Sequence, residues 1–429
     1  MMRSMFSGVS GLRAHQQRMD VIGNNVANVN TVGFKSSRVT FQEVFNQTLS
    51  GASAPDSATS RGGTNPMQVG LGTSVGSIDT LMSTGSSERT DNATDLSISG
   101  DGFFIVRGSS ADTYKFTRAG NFGLDKLGNL VSGGGYLVYG WSKKNEDGTF
   151  DTESPVEPIN LYNDNHNGNK KIIPARATTN AAFSGNLDAA KPTSAETQFA
   201  VPFSVYDALG NSYELSVNFK KTDMDDTGTN WEYTVTRDNG TATPDIFHTG
   251  NVKFNTEGRI IDGATDDFTV DLDENSTGAA DFPINLDFRN LTMYAADSSV
   301  IPSDINGYST GTLTTFSIGS DGIITGIYSN GEQQALGCVA LASFSNPAGL
   351  QKVGDNLFIP TTNSGNFTKG LAAGTGGTGT LTPGTLEMSN VDLSSEFTNM
   401  IITQRGFQAN SRIITTSDEM LQELVNLKR

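Results

Sequence analysis

The sequence predicts a mainly β, multi-domain protein with an α-helical coiled coil formed by its paired N- and C-termini, and with discontinuous domains nested between them. Three observations carry this reading. Apolar residues recur at every seventh position near both ends. The long middle alternates apolar with polar residues and is punctuated by Asp-Gly, Gly-Asn and Asn-Gly. The order helix, β, different β, β, helix runs the chain out through successive domains and returns it.

At the N-terminus the repeat is Met5, Leu12, Met19 and Val26, flanked by Ile22 and Val29. At the C-terminus it is Leu393, Met400, Phe407, Ile414 and Leu421, widened by Phe397, Ile401, Leu424 and Val425. A seven-residue repeat sets one line of side chains along a helix, as in a coiled-coil seam. Gly8, Gly11 and Gly23 each cost the first helix about 1 kcal/mol relative to Ala. An isolated helix of this length is marginal in water. Both ends are therefore expected to be helical only when packed. The partner is either the other terminus in an ordinary intramolecular pair or a neighbouring subunit, and the pattern leaves both open.

A terminal helical domain is expected from 1–32 and 386–429. Residues 33–71 carry a short apolar set, Val39, Phe41, Val44 and Phe45, ahead of Ser/Gly/Ala-rich text, and are expected as an extended linker domain. Residues 72–145 and 285–364 form the expected inner β domain. There, 96–106 reads as strand, Asp101-Gly102 turn, strand, and 114–122, 130–131 and 136–141 continue a meander. Segments 313–318, 323–328 and 335–344 are three strands joined at Asp321-Gly322 and Asn330-Gly331. Residues 146–284 are expected as an outer β domain inserted in the inner one. Its clearest element is a hairpin of 203–206 and 213–219 over Gly210-Asn211, with further strands at 231–236 and 252–254. A Gly/Thr-rich linker, 365–385, leads into the last helix.

Composition narrows function by exclusion. The 429 residues carry 29 Lys and Arg against 46 Asp and Glu, a net charge of −17. That field repels phosphate, so no nucleic-acid partner is expected. No apolar run approaches a membrane span, and no membrane insertion is expected. The segment 5–12 is broken by Ser7, Gly8, Ser10 and Gly11, which is not a secretory leader. The one cysteine, Cys338, excludes an intrachain disulfide framework and reads as a buried small hydrophobe. His15, His166 and His248 are widely separated, and His15 reads as a packing or interface residue.

A search for chemistry finds no catalytic, cofactor-binding or metal residues. Asp271-x-Asp273-x-Asn275 begins like a calcium loop, but Ser276 replaces the turn glycine and the closing Glu is absent. Asn163-x-Asn165-x-Asn167-Gly168 has the glycine but ends on Pro174. Asp223, Asp225 and Asp226 lie in Gly/Thr-rich loop text. Gly133-Gly134-Gly135 precedes a strand, not a helix, and so makes no phosphate cradle. No Gly-x-Ser-x-Gly elbow is present. The chain is expected not to be an enzyme.

The stretch Asn24-Asn25-Val-Ala-Asn28-Val-Asn-Thr31-Val-Gly33-Phe34-Lys35 resembles the N-terminal signature of the bacterial flagellar rod and hook proteins. Its chemistry is intelligible: the asparagines cap and bond locally, and Gly33 permits positive φ. Ser389-Asn390-Val391-Asp392-Leu393, Gln404-Arg405-Gly406-Phe407-Gln408-Ala409-Asn410, Asp101-Gly102-Phe103-Phe104 and Phe116-Thr-Arg-Ala-Gly-Asn-Phe122 are similar to the same family. Gly406 and Phe407 depart from its commoner residues. Length and the middle text, Ala177 to Asn180, Gly185-Asn186-Leu187, Phe203 to Asn211 and Trp231, resemble the hook members more than the shorter rod members.

That resemblance implies a structural subunit, exported without a cleaved leader through the flagellar type III apparatus. It implies helical polymerisation of the chain with itself into a curved extracellular tube, a universal joint that transmits torque from rod to filament. Its implied partners are other copies, the rod, the hook cap and the hook–filament junction proteins, with no cofactor. The implied assembly residues are Met5, Leu12, Met19, Ile22, Val26, Leu393, Phe397, Met400, Phe407, Ile414 and Leu421. The alternatives are a distal rod or hook-associated protein and, from other classes, a secreted β-rich adhesin or surface-layer protein or a glycan-processing enzyme. The adhesin accounts for neither the paired heptads nor the Asn-rich signature. The enzyme needs a carboxylate pair in a cleft.

Overall fold

The computed structural model describes residues 2–55, 62–108, 113–145, 147–164, 166, 168–193, 198–225, 227–237, 245–270 and 278–427. Asn165, Asn167, Asp226, Asp271, Asp273, Asn275 and Ser276 lie outside them. The chain forms two compact units. The first comprises Met1–Gly168, Ser317–Thr325 and Ala335–Arg429, and the second comprises Asn169–Phe316 and Gly326–Gln334.

The first unit carries both long helices, α1 (Met2–Ala27) and α2 (Leu393–Asn426). Asp392 caps α2, its carboxylate accepting from Ser394 N at 2.9 Å and Ser395 N at 3.4 Å. After α1 the strand Ser37–Glu43 pairs antiparallel with Thr73–Thr80. The exposed strands Asn46–Ser50 and Met67–Gly70 pair beyond it. Residues 37–43, 46–50 and 67–70 are thus extended and laddered.

The core of this unit surrounds strand Phe103–Arg107, which pairs with Lys115–Thr117, Leu137–Trp141 and Leu341–Ala342. Phe103, Phe104, Ile105 and Val106 are all buried, so both faces of the strand are covered. Phe116 packs edge-on to Phe344 at 4.8 Å, and Phe103 to Phe358 at 5.7 Å. Such aromatic pairs contribute about 0.5–1.5 kcal/mol beyond burial. The two strands expected in 96–106 exist, but they are not each other's partners. Leu96–Ser99 pairs with Thr380–Pro383. Gly100 (φ +117°) and Gly102 (φ +129°) take the chain away between them instead of closing a hairpin. The same pairing gives structure to the Gly/Thr-rich stretch 365–385, where Leu381 is fully covered.

The second unit is a β sandwich. One antiparallel sheet runs in the order Gln198–Tyr206, Ser212–Asp225, Gly228–Arg237, Asp245–Phe254, Ile260–Asp262. The other runs Thr265–Val270, Phe282–Tyr294, Asn180–Asp188, Ile301–Ile305, with its central pair parallel. Tyr213, Leu215, Val217 and Phe219 alternate inward and meet Phe183, Leu286 and Phe288 in one core. Residues 284 and 285, where the sequence reading divided inner from outer domain, both lie within strand Phe282–Tyr294. This unit divides instead at 168/169 and near 317.

The hairpin expected at 203–219 is present, with Tyr206 opposite Ser212. Asp207 holds its turn. Its buried carboxylate accepts from Leu209 N and Asn211 N, each at 2.9 Å, from Asn211 Nδ2 at 2.8 Å and from the Tyr213 hydroxyl at 3.0 Å. Burial alone would raise its pKa, but these donors outweigh it and hold the carboxyl below the usual carboxylate range. A depressed carboxyl pKa contributes stability at neutral pH that is lost as pH falls through the folded value. Acid unfolding of the native chain, followed by Trp231 fluorescence, is expected to steepen below about pH 4. Asp207→Asn is expected to lower stability at pH 7 and to flatten that acid limb. An unchanged acid limb in the variant would remove Asp207 from this role.

Candidate assembly interface

The two helices lie side by side and antiparallel, because their contacts pair the end of one with the start of the other. Asn25 Nδ2 donates to Glu396 Oε1 at 3.0 Å, Arg18 donates to Asn399 Oδ1 at 3.1 Å, and the Ser4 and Ser417 hydroxyls are 3.4 Å apart. The closest approach is made by small residues. A Cβ on Gly11 would lie 2.8 Å from the Asn410 side chain, and one on Gly406 would lie 2.6 Å from the His15 ring. Two of the interior glycines that weaken α1 locally, Gly8 and Gly11, are therefore where α2 comes close, whereas a Cβ on Gly23 would meet nothing within 4 Å. His15 Nδ1 is buried with no hydrogen-bond partner among the described residues. Burial, and then the Arg18 charge, push its pKa down.

The residues expected to carry assembly divide around this seam. Ile22 is buried, while Met5, Leu12, Met19, Val26, Met400, Ile414 and Leu421 are half-covered. Leu393, Phe397 and Phe407 are exposed, Phe397 by 50 % and Phe407 by 42 %. Ile401, Ile402 and Leu424 add to that bare surface. Much of the apolar stripe on α2 is thus unused within one chain.

The signature residues converge where α1 ends. Asn28 Nδ2 donates to Asn24 O at 2.9 Å, and Thr31 donates to Asn28 Oδ1 at 3.1 Å, closing the last turn. Asn25 is buried and pairs with both backbone groups of Ser37, accepting its N–H at 3.0 Å and donating to its carbonyl at 2.8 Å. A side chain thereby stands in for a strand partner at the start of the ladder. Gly33 has φ +68°, and a Cβ there would lie 2.6 Å from Ala119 N. Phe34 is buried, with the Lys352 ammonium 5.0 Å from its ring centre.

Around Gly33 and Phe34 sits a buried ion cluster that the sequence reading did not assign. Lys35 Nζ reaches Glu387 Oε1 at 2.6 Å, and Arg118 reaches Glu387 Oε2 at 3.2 Å, with all three side chains at most 2 % exposed. Glu387 Oε1 also accepts Gly85 N at 3.1 Å, and its carbonyl accepts Gly33 N at 2.7 Å. Burial pushes the Lys35 pKa down, with Glu387 opposing. Asn390 bonds Ser36 N, Leu81 O and Ser83 O. Asn356 donates to Val32 O at 3.0 Å. Segments more than 350 residues apart are thus locked at one point. Lys35, Arg118 and Asn390 stand inside quoted motifs, but no local signal in the sequence marks them as partners of Glu387.

No group of His, Cys, Asp and Glu among the described residues could hold a metal, and no described helix is long and apolar enough to cross a membrane.

Four family models match the chain in order. They are the flagella basal body rod protein at 5–35, the flagellar hook protein FlgE/F/G D1 domain at 97–177, the flagellar basal body protein FlaE D2 domain at 164–308 and the flagellar basal body rod FlgEFG protein C-terminal at 382–427. The flagellar hook protein FlgE of Borreliella burgdorferi is 40 % identical over the whole of both chains. That of Salmonella typhimurium is 33 % identical over 99 % of this chain and 100 % of its own. The flagellar basal-body rod protein FlgG of Bacillus subtilis is 34 % identical over the whole of both. Among solved structures, the Helicobacter pylori flagellar hook protein FlgE2 shares the fold, with a TM-score of 0.52, 15 % identity and coverage of 68 % of this chain and 98 % of that one. With such identity sustained from end to end, the chain belongs to the flagellar hook protein family, as a structural subunit of the flagellar hook and not an enzyme.

Proposed function

We propose that this chain polymerises with itself through its terminal helices into the curved tube of the hook, the universal joint that passes motor torque from rod to filament. The observation that carries this reading is the bare apolar stripe of α2, Leu393, Phe397, Ile401 and Phe407, on a helix already paired with α1. Monomeric soluble proteins rarely leave contiguous apolar surface uncovered. In the tube, the helix pairs form an inner coiled-coil layer, with Met5, Leu12, Met19, Ile22, Val26, Met400, Ile414 and Leu421 lining its contacts. The β domains form the layers outside it. The acidic, polar β surfaces suit wet, individually weak contacts that slide as the tube turns. Rod, hook cap and hook–filament junction proteins are the neighbours at its ends, and the type III export apparatus delivers the chain.

Phe397→Asp with Phe407→Asp tests this. Both side chains are exposed, so monomer stability should change by no more than about 0.5 kcal/mol each. Burying an unpaired carboxylate in an apolar contact costs well over about 3 kcal/mol, so the critical concentration for polymerisation should rise roughly 100-fold or more. Normal tubes from the double variant under electron microscopy would overturn the reading.

A second reading, a distal rod subunit, is favoured by the 34 % identity to the Bacillus subtilis FlgG rod protein. Immunogold labelling with antibody to 146–284 separates the two. Label on a short curved tube outside the cell supports the hook, and label confined within the envelope supports the rod.

A further inference from the structure

The helices of the pair have unequal lengths, 26 and 34 residues. Asn25 opposite Glu396 and Ser4 opposite Ser417 fix their antiparallel register. In that register the start of α1 falls opposite residue 419 or so, and α2 continues to Asn426 with no α1 beside it. At 1.5 Å per residue the overhang is about 10 Å long. It presents Met420, Leu424, Val425 and the following Leu427, all exposed, the last by 81 %. It also carries Glu423, with Asp418 and Glu419 just before it, while Lys428 and Arg429 follow outside the described residues.

Elsewhere in the same unit is an open groove of about 500 Å³ between α1 and strand Thr73–Thr80. Phe6, Val9, Arg13, Val44 and Val75 line it. This face of α1 is distinct from the Gly8, Gly11 and His15 seam that receives α2. The first nineteen residues contain Arg3, Arg13 and Arg18 and no carboxylate, although the whole chain is strongly acidic. The groove is therefore a largely apolar slot whose one charged lining residue is Arg13, and the overhang is an apolar helix end whose one carboxylate is Glu423.

We propose that the overhanging end of α2 from one copy seats in the groove between α1 and strand Thr73–Thr80 of a second copy. Leu424 and Val425 would cover Phe6 and Val44, and Glu423 would face Arg13. The chain's own overhang cannot fill this role, because α2 runs as one continuous helix fixed against the other face of α1. Slot and overhang are different surfaces, so the contact is head-to-tail: each copy offers a free slot and a free end, and the contact repeats along a filament. This rests on the self-assembly reading above and assigns which surfaces join.

The test uses the full chain. Arg13→Glu and Glu423→Arg should each slow polymerisation roughly tenfold, since like charges then face one another across the contact. The two together in one chain should restore the rate. Cross-linking gives an independent readout, because Cys338 is buried and its thiol is pushed up to about 12, so introduced cysteines are the reactive ones. In polymers mixed from Val44→Cys chains and Val425→Cys chains, a short bis-maleimide should join the two kinds covalently. A charge-swapped double variant no faster than the worse single one overturns the contact. So do normal mixed polymers that yield no Val44–Val425 cross-link, and in both cases self-assembly still stands. Failure of the unaltered chain to polymerise at all would remove the self-assembly reading and this contact with it.

Discussion

Glu387→Ala is expected to be among the most damaging single substitutions in the chain. It leaves the Lys35 ammonium and the Arg118 guanidinium buried, each without the carboxylate that faces it at 2.6 and 3.2 Å. Arg118 Nε already lacks a partner among the described residues, and without Glu387 the guanidinium keeps a bond to the Gly100 carbonyl at 2.8 Å but no neutralising carboxylate. Removing one member of a buried ion cluster typically costs about 3–5 kcal/mol, chiefly because the remaining charge is stranded. Glu387→Gln should cost nearly as much, since it keeps the shape and loses the charge. The measurement is urea unfolding in a Trp231→Phe background, where buried Trp141 reports on the first unit. A loss below about 1 kcal/mol would show that the cluster relaxes or hydrates, and would refute the locking role.

Gly33→Ala is expected to have the next largest effect. A left-handed backbone at φ +68° costs an alanine about 1–2 kcal/mol. The added Cβ also meets Ala119 N at 2.6 Å and Arg118 C at 2.7 Å. These are backbone atoms, so no side chain can rotate away, and the segment must shift. A total of at least about 3 kcal/mol is expected from strain and overpacking together. Gly33 N also donates to Glu387 O, and Arg118 is shared by both sites. The double variant should therefore lose less than the sum of the two singles, by about 1 kcal/mol or more. Strict additivity would mean that the two residues act separately.

The helices were legible because their signals are local. The heptads at 5–26 and 393–421 lie inside Met2–Ala27 and Leu393–Asn426. The hairpin over Gly210-Asn211 was legible for a similar reason. Its strands bury one face, which writes a period of two into the sequence. The Asn-rich signature was recognisable, and its helix-ending chemistry follows from short-range bonds such as Asn28 to Asn24.

What the helix faces meet was decided by tertiary structure. Leu12 and Met19 stand out in the sequence by hydrophobicity, but Gly11, Gly406 and Asn410 mark the closest approach of the helices, because close packing there is set by volume. The strands at 96–106 were legible as strands, yet Leu96–Ser99 finds its partner in Thr380–Pro383, within text that reads as linker, and Phe103–Arg107 pairs with Leu341–Ala342 as well as with nearer strands. The Lys35, Arg118 and Glu387 cluster is the extreme case. Each residue alone looks like an ordinary surface charge, and only burial at one point makes the three depend on one another. Hydrophobic period, turn chemistry and capping act over a few residues and can be read from them. Partner choice between segments more than 350 residues apart depends on which surfaces the folded chain brings together, and no local pattern records that.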